Sequence, residues 1–125
     1  MFEKDVKEIQ VVVTNYFEGI FYGDVERLES AFHPQSLLVG DINGQPYFKN
    51  LQDYLEGVRN RKCPNELGEE FDMKILGIEV LNDIAYIKLH VPMLGYNYYD
   101  FISMSRISGH WMIVNKIFTN VGMGK

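Results

Sequence analysis

A chain of 125 residues fits a single domain spanning 1–125, and its 46% apolar content can bury a core without metals or disulfides. The 17 acidic and 12 basic residues give a net charge of −5, which repels nucleic acid and anionic membranes, and Arg59, Arg61 and Lys62 are too few to form a basic stripe. A single cysteine, Cys63, excludes a disulfide framework; no apolar run reaches the ~18 residues that span a bilayer, and the charged opening MFEKDVKE is not a secretory signal, so the expected compartment is the cytoplasm.

In chain order, Asp5 with Glu8 reads as a capping box. Val6, Ile9, Val13, Tyr16, Phe17 and Ile20 then recur at helical spacing, and Gly23 supplies the stop. Asp24 caps a short second helix through Val25, Leu28 and Phe32 that ends at His33-Pro34. Leu37–Val39 is a short strand, Asn43-Gly44 is a strong hairpin signal, and Asn50 caps a third helix with Leu51, Tyr54, Leu55 and Val58 on its apolar face. From Glu69 to Leu81 the period drops to two, with a parity slip at Leu76-Gly77 that predicts a β-bulge. Turns at Asn82-Asp83, Pro92–Gly95 and Ser108-Gly109 separate three further strands, ending at Thr119. Helices first and a meander afterwards predict an α+β fold rather than βαβ units.

The chemistry-bearing residues are few. Asp100 alternates with Ile102 and Met104, so an acid shares an apolar face, either as a group of raised pKa or at a cavity mouth. By the same alternation Asn115 shares a face with Trp111, Ile113 and Ile117, where an amide can orient a ligand or bond a tyrosine. His33 stands at an expected helix end, a capping position more than a catalytic one. His90 and His110 have no second ligand at metal spacing, and no HExxH, phosphate loop, dinucleotide fingerprint or nucleophile elbow occurs, so neither a metal nor a cofactor is expected. Tyr96, Tyr98 and Tyr99 with Tyr86 form a predicted aromatic cluster, a wall for a planar ligand, a set of cross-strand pairs or a dimer interface.

The stretches Tyr16-Phe-Glu-Gly with Gly23-Asp24, Phe32-His-Pro34, Asn82-Asp-Ile-Ala-Tyr-Ile-Lys88 and Gly109-His-Trp-Met-Ile-Val-Asn-Lys-Ile-Phe118 resemble the nuclear transport factor 2-like superfamily, and within it the lumazine-binding-like group. The resemblance covers nearly the whole chain. It implies a cone: three N-terminal helices against a strongly curved, mostly antiparallel sheet, with a cavity at the open end and often a homodimer formed through the outer face of the sheet. The superfamily includes ketosteroid isomerases, scytalone dehydratases, SnoaL-like cyclases and limonene epoxide hydrolases. Tyr16 matches the isomerases' helix tyrosine, seven residues before Gly23-Asp24, but Gly40 stands where their base is expected, and the carboxylate is shifted to Asp41. A one-residue shift on a strand reverses the face, so Asp41 is expected to point outward if position 40 points inward.

Three readings stay open. The first is a lumazine-binding-like binder of an unidentified small molecule, in an apolar cone lined by Tyr16, Phe17, Ile20, Phe32, Tyr54, Asp100, Trp111, Ile113 and Asn115. The second is a cofactor-independent acid–base enzyme of isomerase, dehydratase or cyclase type, with Tyr16 as acid and Asp100 or His33 as base. The third is a dimeric interaction module without a ligand. A strongly perturbed acid inside the cavity would favour the second.

Overall fold

A computed structural model describes residues 2–122. Helices α1 (Phe2–Tyr22) and α2 (Val25–Ser30) lead into strand β1 (Phe32–Ile42), which turns into β2 (Gln45–Asn50); α3 (Leu51–Arg59) follows, and then β3 (Lys74–Leu81), β4 (Ile84–Met93), β5 (Tyr96–Ile107) and β6 (His110–Asn120). The six strands form one sheet in the order β2-β1-β6-β5-β4-β3. All neighbours are antiparallel except β1 and β6, which run parallel.

The apolar stripe of α1 is what fastens it to the sheet. Ile9, Val13, Tyr16 and Ile20 are fully buried, at the spacing that aligns one helical face. The helix stops in a Schellman motif: Gly23 takes φ +67, its N–H reaches Ile20 O, and Asp24 N–H reaches Gly19 O at 2.9 Å. Asp24 then caps α2 by accepting from Arg27 N, and Asn50 caps α3 by accepting from Asp53 N at 2.8 Å. Asn43 and Gly44 both adopt positive φ and close the β1–β2 hairpin. No helix of the described residues is long and apolar enough to cross a membrane.

Three elements differ from the sequence reading. The first helix begins at Phe2, and Asp5 is no cap: it lies buried against Arg106, whose Nη1 donates to Asp5 Oδ1 at 2.6 Å while its guanidinium sits 5.0 Å over the Trp111 ring. The second helix ends at Ser30, so Phe32 and His33 belong to β1; the backbone of Ala31 is captured by Ile113 N–H at 2.9 Å, a long-range contact that outweighs the short helical pattern. Residues 69–73 form no strand, because the ladder with β4 begins at Lys74 and His90. Beyond that point the Glu69 carboxylate accepts the Leu94 N–H at 3.0 Å, and Phe71 packs edge-on against Phe17 and Phe21.

Three register shifts bend the sheet: in β1 between Phe32 and Leu37, in β3 between Ile75 and Gly77, and between β5 and β6, where Ser103 pairs Asn115 but Met104 pairs Ile113. Val114 is the extra residue at the last shift. Each bulge raises the local twist, and together they curl the sheet around α1 and α3.

Candidate active site

The alternation of β5 sends Asp100, Ile102 and Met104 to the inner face, and all three are buried. Asp100 is 1% exposed, and its partner is Tyr16, whose hydroxyl donates to Asp100 Oδ2 at 2.6 Å. Burial pushes the Asp100 carboxyl above its ordinary range, a rise restrained by the charge of Lys116 and by the Tyr16 hydrogen bond. Burial and the neighbouring carboxylate hold the Tyr16 phenol well above its usual value, so it stays a donor.

The second charged group comes from β6. Trp111 and Ile113 face inward, and without a bulge Asn115 and Ile117 would follow them. The extra residue Val114 reverses the parity, so that Lys116 and Phe118 are buried, while Ile117 is exposed and Asn115 lies beside the outward Leu37 and Ser103. Asn115 therefore does not share a face with Trp111 and Ile113, contrary to unbroken alternation. Lys116 Nζ lies 3.4 Å from Tyr54 Oη and sits 4.7–5.0 Å from the centres of the Tyr16, Tyr54 and Phe118 rings. Burial brings its ammonium down to about 8, against the opposing pull of Asp100 and with the help of Arg61. Lys116 pairs with Ile102 and Phe118 with Asp100, so the amine and the carboxylate are diagonal neighbours on one face. Among the described residues they form no ion pair within 4.0 Å, and both open onto the same cavity.

That cavity holds about 40 Å³ and is lined by Tyr16, Tyr54, Asp100, Lys116 and Arg61, with Ile42, Tyr47, Val91, Met93, Tyr98 and Phe118. This is room for a few heavy atoms, since about 10–15 Å³ of such space holds one water. Tyr47 and Tyr98 stand half-buried at its rim, each pressing edge-on against Phe118, and burial raises both phenols to about 12. A larger apolar groove, about 790 Å³, lies at the β3–β4 turn beside Phe2 of α1, but its only carboxylate is Glu79.

The other sequence-derived candidates fall elsewhere. Phe17, Ile20, Phe32 and Ile113 pack in the core behind the cavity, Phe32 edge-on to Tyr16 at 5.9 Å. Trp111 lies with Asp5 near the start of α1, about 16 Å along the helix from Tyr16 at 1.5 Å per residue. His33 uses Nδ1 to accept the Gln35 N–H on the surface. Gly40 points inward, where an added Cβ would lie 2.6 Å from the Phe118 ring; Asp41 points outward and accepts the Gly44 N–H at 2.7 Å. The four tyrosines of the expected cluster separate: Tyr86 packs on Phe101, Tyr99 stacks on His90, and Tyr96 stacks on Tyr98. Sequence reasoning missed Lys116, Arg61 and Tyr47, and named Tyr98 only as part of the aromatic cluster. No group of three His, Cys, Asp or Glu that could hold a metal occurs among the described residues.

The model of the family described as "Putative lumazine-binding" matches residues 4–119. The chain belongs to this family. Its fold is that of the nuclear transport factor 2-like superfamily: NTF2-like proteins from Silicibacter pomeroyi and Shewanella baltica superpose with TM-scores of 0.83 each at 19% and 21% identity, covering 96% of this chain and 98% and 96% of theirs. A third, from Methylobacillus flagellatus, gives 0.79 at 21% identity over 94% of this chain and 92% of its own. In sequence, this lumazine-binding-family chain is 31% identical over 110 residues to the aldolase FrzH of a Cladobotryum species, covering 82% of this chain and 81% of that one.

Proposed function

We propose that the chain is an acid–base enzyme that removes a proton from carbon beside the carbonyl of a small molecule and passes the resulting enolate to a second carbonyl, an aldol-type reaction. The observation that carries this is the buried Tyr16–Asp100 hydrogen bond of 2.6 Å, with the Lys116 ammonium facing the same cavity. Asp100, raised toward neutrality, is the base. The electron pair of the broken C–H bond moves onto the carbonyl oxygen, where Lys116, largely protonated at neutral pH, balances the charge. The enolate carbon bonds to the acceptor carbonyl, and the new alkoxide takes the proton back from Asp100. Tyr16 orients the carboxylate. The likeness to an aldolase supports the reaction class.

The test is exchange of α-protons for deuterium in small ketones and oxo acids, followed by NMR in D2O. Exchange should fall by about 10²–10⁴ in Asp100→Asn. Equal rates in both proteins, after subtracting buffer catalysis, would remove the proposal.

The family description supports a small-molecule ligand. A bicyclic lumazine, like the two carbonyl partners of an aldol reaction taken together, exceeds the roughly 40 Å³ of free space, so either would have to displace Tyr47 and Tyr98 from the rim. We further propose a cytoplasmic homodimer through the outer sheet face, where Tyr86, Phe101 and Ile117 are exposed. Light scattering should then report twice the 14.5 kDa chain mass.

A further inference from the structure

Four arginines occur in the chain. Arg27 pairs with Glu18, Arg59 with Glu56, and Arg106 with both Asp5 and Asp83. Arg61 differs from all three: among the described residues it has no carboxylate within 4.0 Å, and its buried Nη2 has no hydrogen-bond partner at all. Its backbone N–H donates to Val58 O at 3.4 Å, which holds the residue in the turn just past α3, and its side chain lines the cavity.

A guanidinium cannot shed its proton, so a buried, unpaired N–H there is a standing cost that a ligand can remove. The charge balance points the same way. Inside the cavity Arg61 and Lys116 are cationic against the single carboxylate Asp100, in a protein whose overall charge is −5. The field of Arg61 acts on Tyr16, Tyr47, Tyr54, Tyr98 and Lys116 around the space. A neutral carbonyl oxygen can accept from the orphaned donor but leaves the excess positive charge in place. A carboxylate removes both, and its two oxygens match the planar fork of an arginine.

We infer that the small molecule bound here carries a carboxylate and that Arg61 is the residue that reads it. The small cavity favours the shortest carboxylate that still has an enolisable carbon, so the substrate class is a short 2-oxo acid, admitted with some movement of the rim: the carboxylate on Arg61, the ketone oxygen toward Lys116, and the adjoining carbon toward Asp100. This placement rests on the acid–base reading for the last two contacts; the first stands on Arg61 alone.

The experiment is calorimetric titration of the full chain with pyruvate, its neutral amide pyruvamide, and acetone at low ionic strength, repeated with Arg61→Gln and Arg61→Lys. The expected result is pyruvate at least about tenfold tighter than either neutral probe, a preference of about 1.4 kcal/mol. Arg61→Gln should abolish that preference, and Arg61→Lys should restore part of it. Thermal unfolding separates recognition from a structural role: removing an unpaired buried cation leaves the unfolding midpoint of Arg61→Gln unchanged or raised, whereas a structural residue would lower it. Equal binding of pyruvate and pyruvamide, no binding of any probe, or a preference that survives in Arg61→Gln would each overturn the inference. Deuterium exchange in the same samples keeps the two readings apart. Arg61-dependent binding without Asp100-dependent exchange sinks the enzyme and leaves the anion site; exchange into acetone as fast as into pyruvate does the reverse.

Discussion

Tyr16 of α1 and Asp100 of β5, 84 residues apart in sequence, share a 2.6 Å hydrogen bond inside the cone. The bond joins the helical layer to the sheet at the point where the cavity begins, so one contact ties stability to the proposed chemistry. Tyr16→Phe keeps the ring and deletes the donor. It should cost about 1–3 kcal/mol in denaturant unfolding, the penalty for a buried acceptor left unmade. Because the same bond restrains the proton affinity of Asp100, the acidic limb of the deuterium-exchange profile should also move to higher pH.

The buried lysine makes a separate prediction about stability. Its folded-state value of about 8 lies below the 10.5 of an exposed lysine, so between those limits the unfolded chain binds the extra proton and stability rises with pH. The full difference, 10.5 minus about 8, corresponds to roughly 3 kcal/mol. Tyr16 and Tyr54 act in the opposite sense above pH ~10, because burial keeps their phenols protonated in the folded state while the unfolded chain releases them. Urea midpoints should therefore climb from pH 8 toward 10 and then turn over. In Lys116→Met the climb should vanish; a midpoint that still rises in that variant would refute the assignment.

Gly40 leaves the space that Phe118 fills. A methyl there would meet the Phe118 ring and its backbone oxygen at 2.6 Å, so Gly40→Ala should destabilise by about 1–3 kcal/mol through overpacking. Phe118 also wedges Tyr47 and Tyr98 at the rim, so the variant should bind small probes differently as well as unfold earlier.

Gly19 tests sign rather than size. Alanine ordinarily favours a helix interior by nearly ~1 kcal/mol over glycine. Here the added Cβ would stand 2.7 Å from the Leu28 backbone, because α2 crosses α1 at this point. Gly19→Ala should lower the thermal midpoint instead of raising it.

Much of this architecture can be read from the residues themselves. The α1 stripe, the Gly23 stop and the Asn43-Gly44 turn are local, and each carries its own physical signature. The bulge near Gly77 is legible because the apolar parity visibly changes there, from Met73 and Ile75 to Ile78 and Val80. The bulge at Val114 is hidden, since Ile113, Val114 and Ile117 are apolar in both parities; only Phe118 hints that the phase has shifted. That masking is why Asn115 looks like a site residue and Lys116 does not. Arg61 lies between α3 and β3, where no period exists to assign its direction. Phe32 and His33 continue a helical pattern locally and become strand only through pairing with β6, which no short window contains.

The extra residue at Val114 sets which alphabet the cavity reads. The same eleven residues of β6, paired in unbroken alternation without the bulge, would offer the interior an amide and an alkyl chain, Asn115 and Ile117; with the bulge they offer a cation and an aromatic ring. Two very different linings thus lie one register step of β6 apart on an unchanged scaffold. What the interior is offered is therefore decided by the phase of β6 and not by the identity of any one side chain.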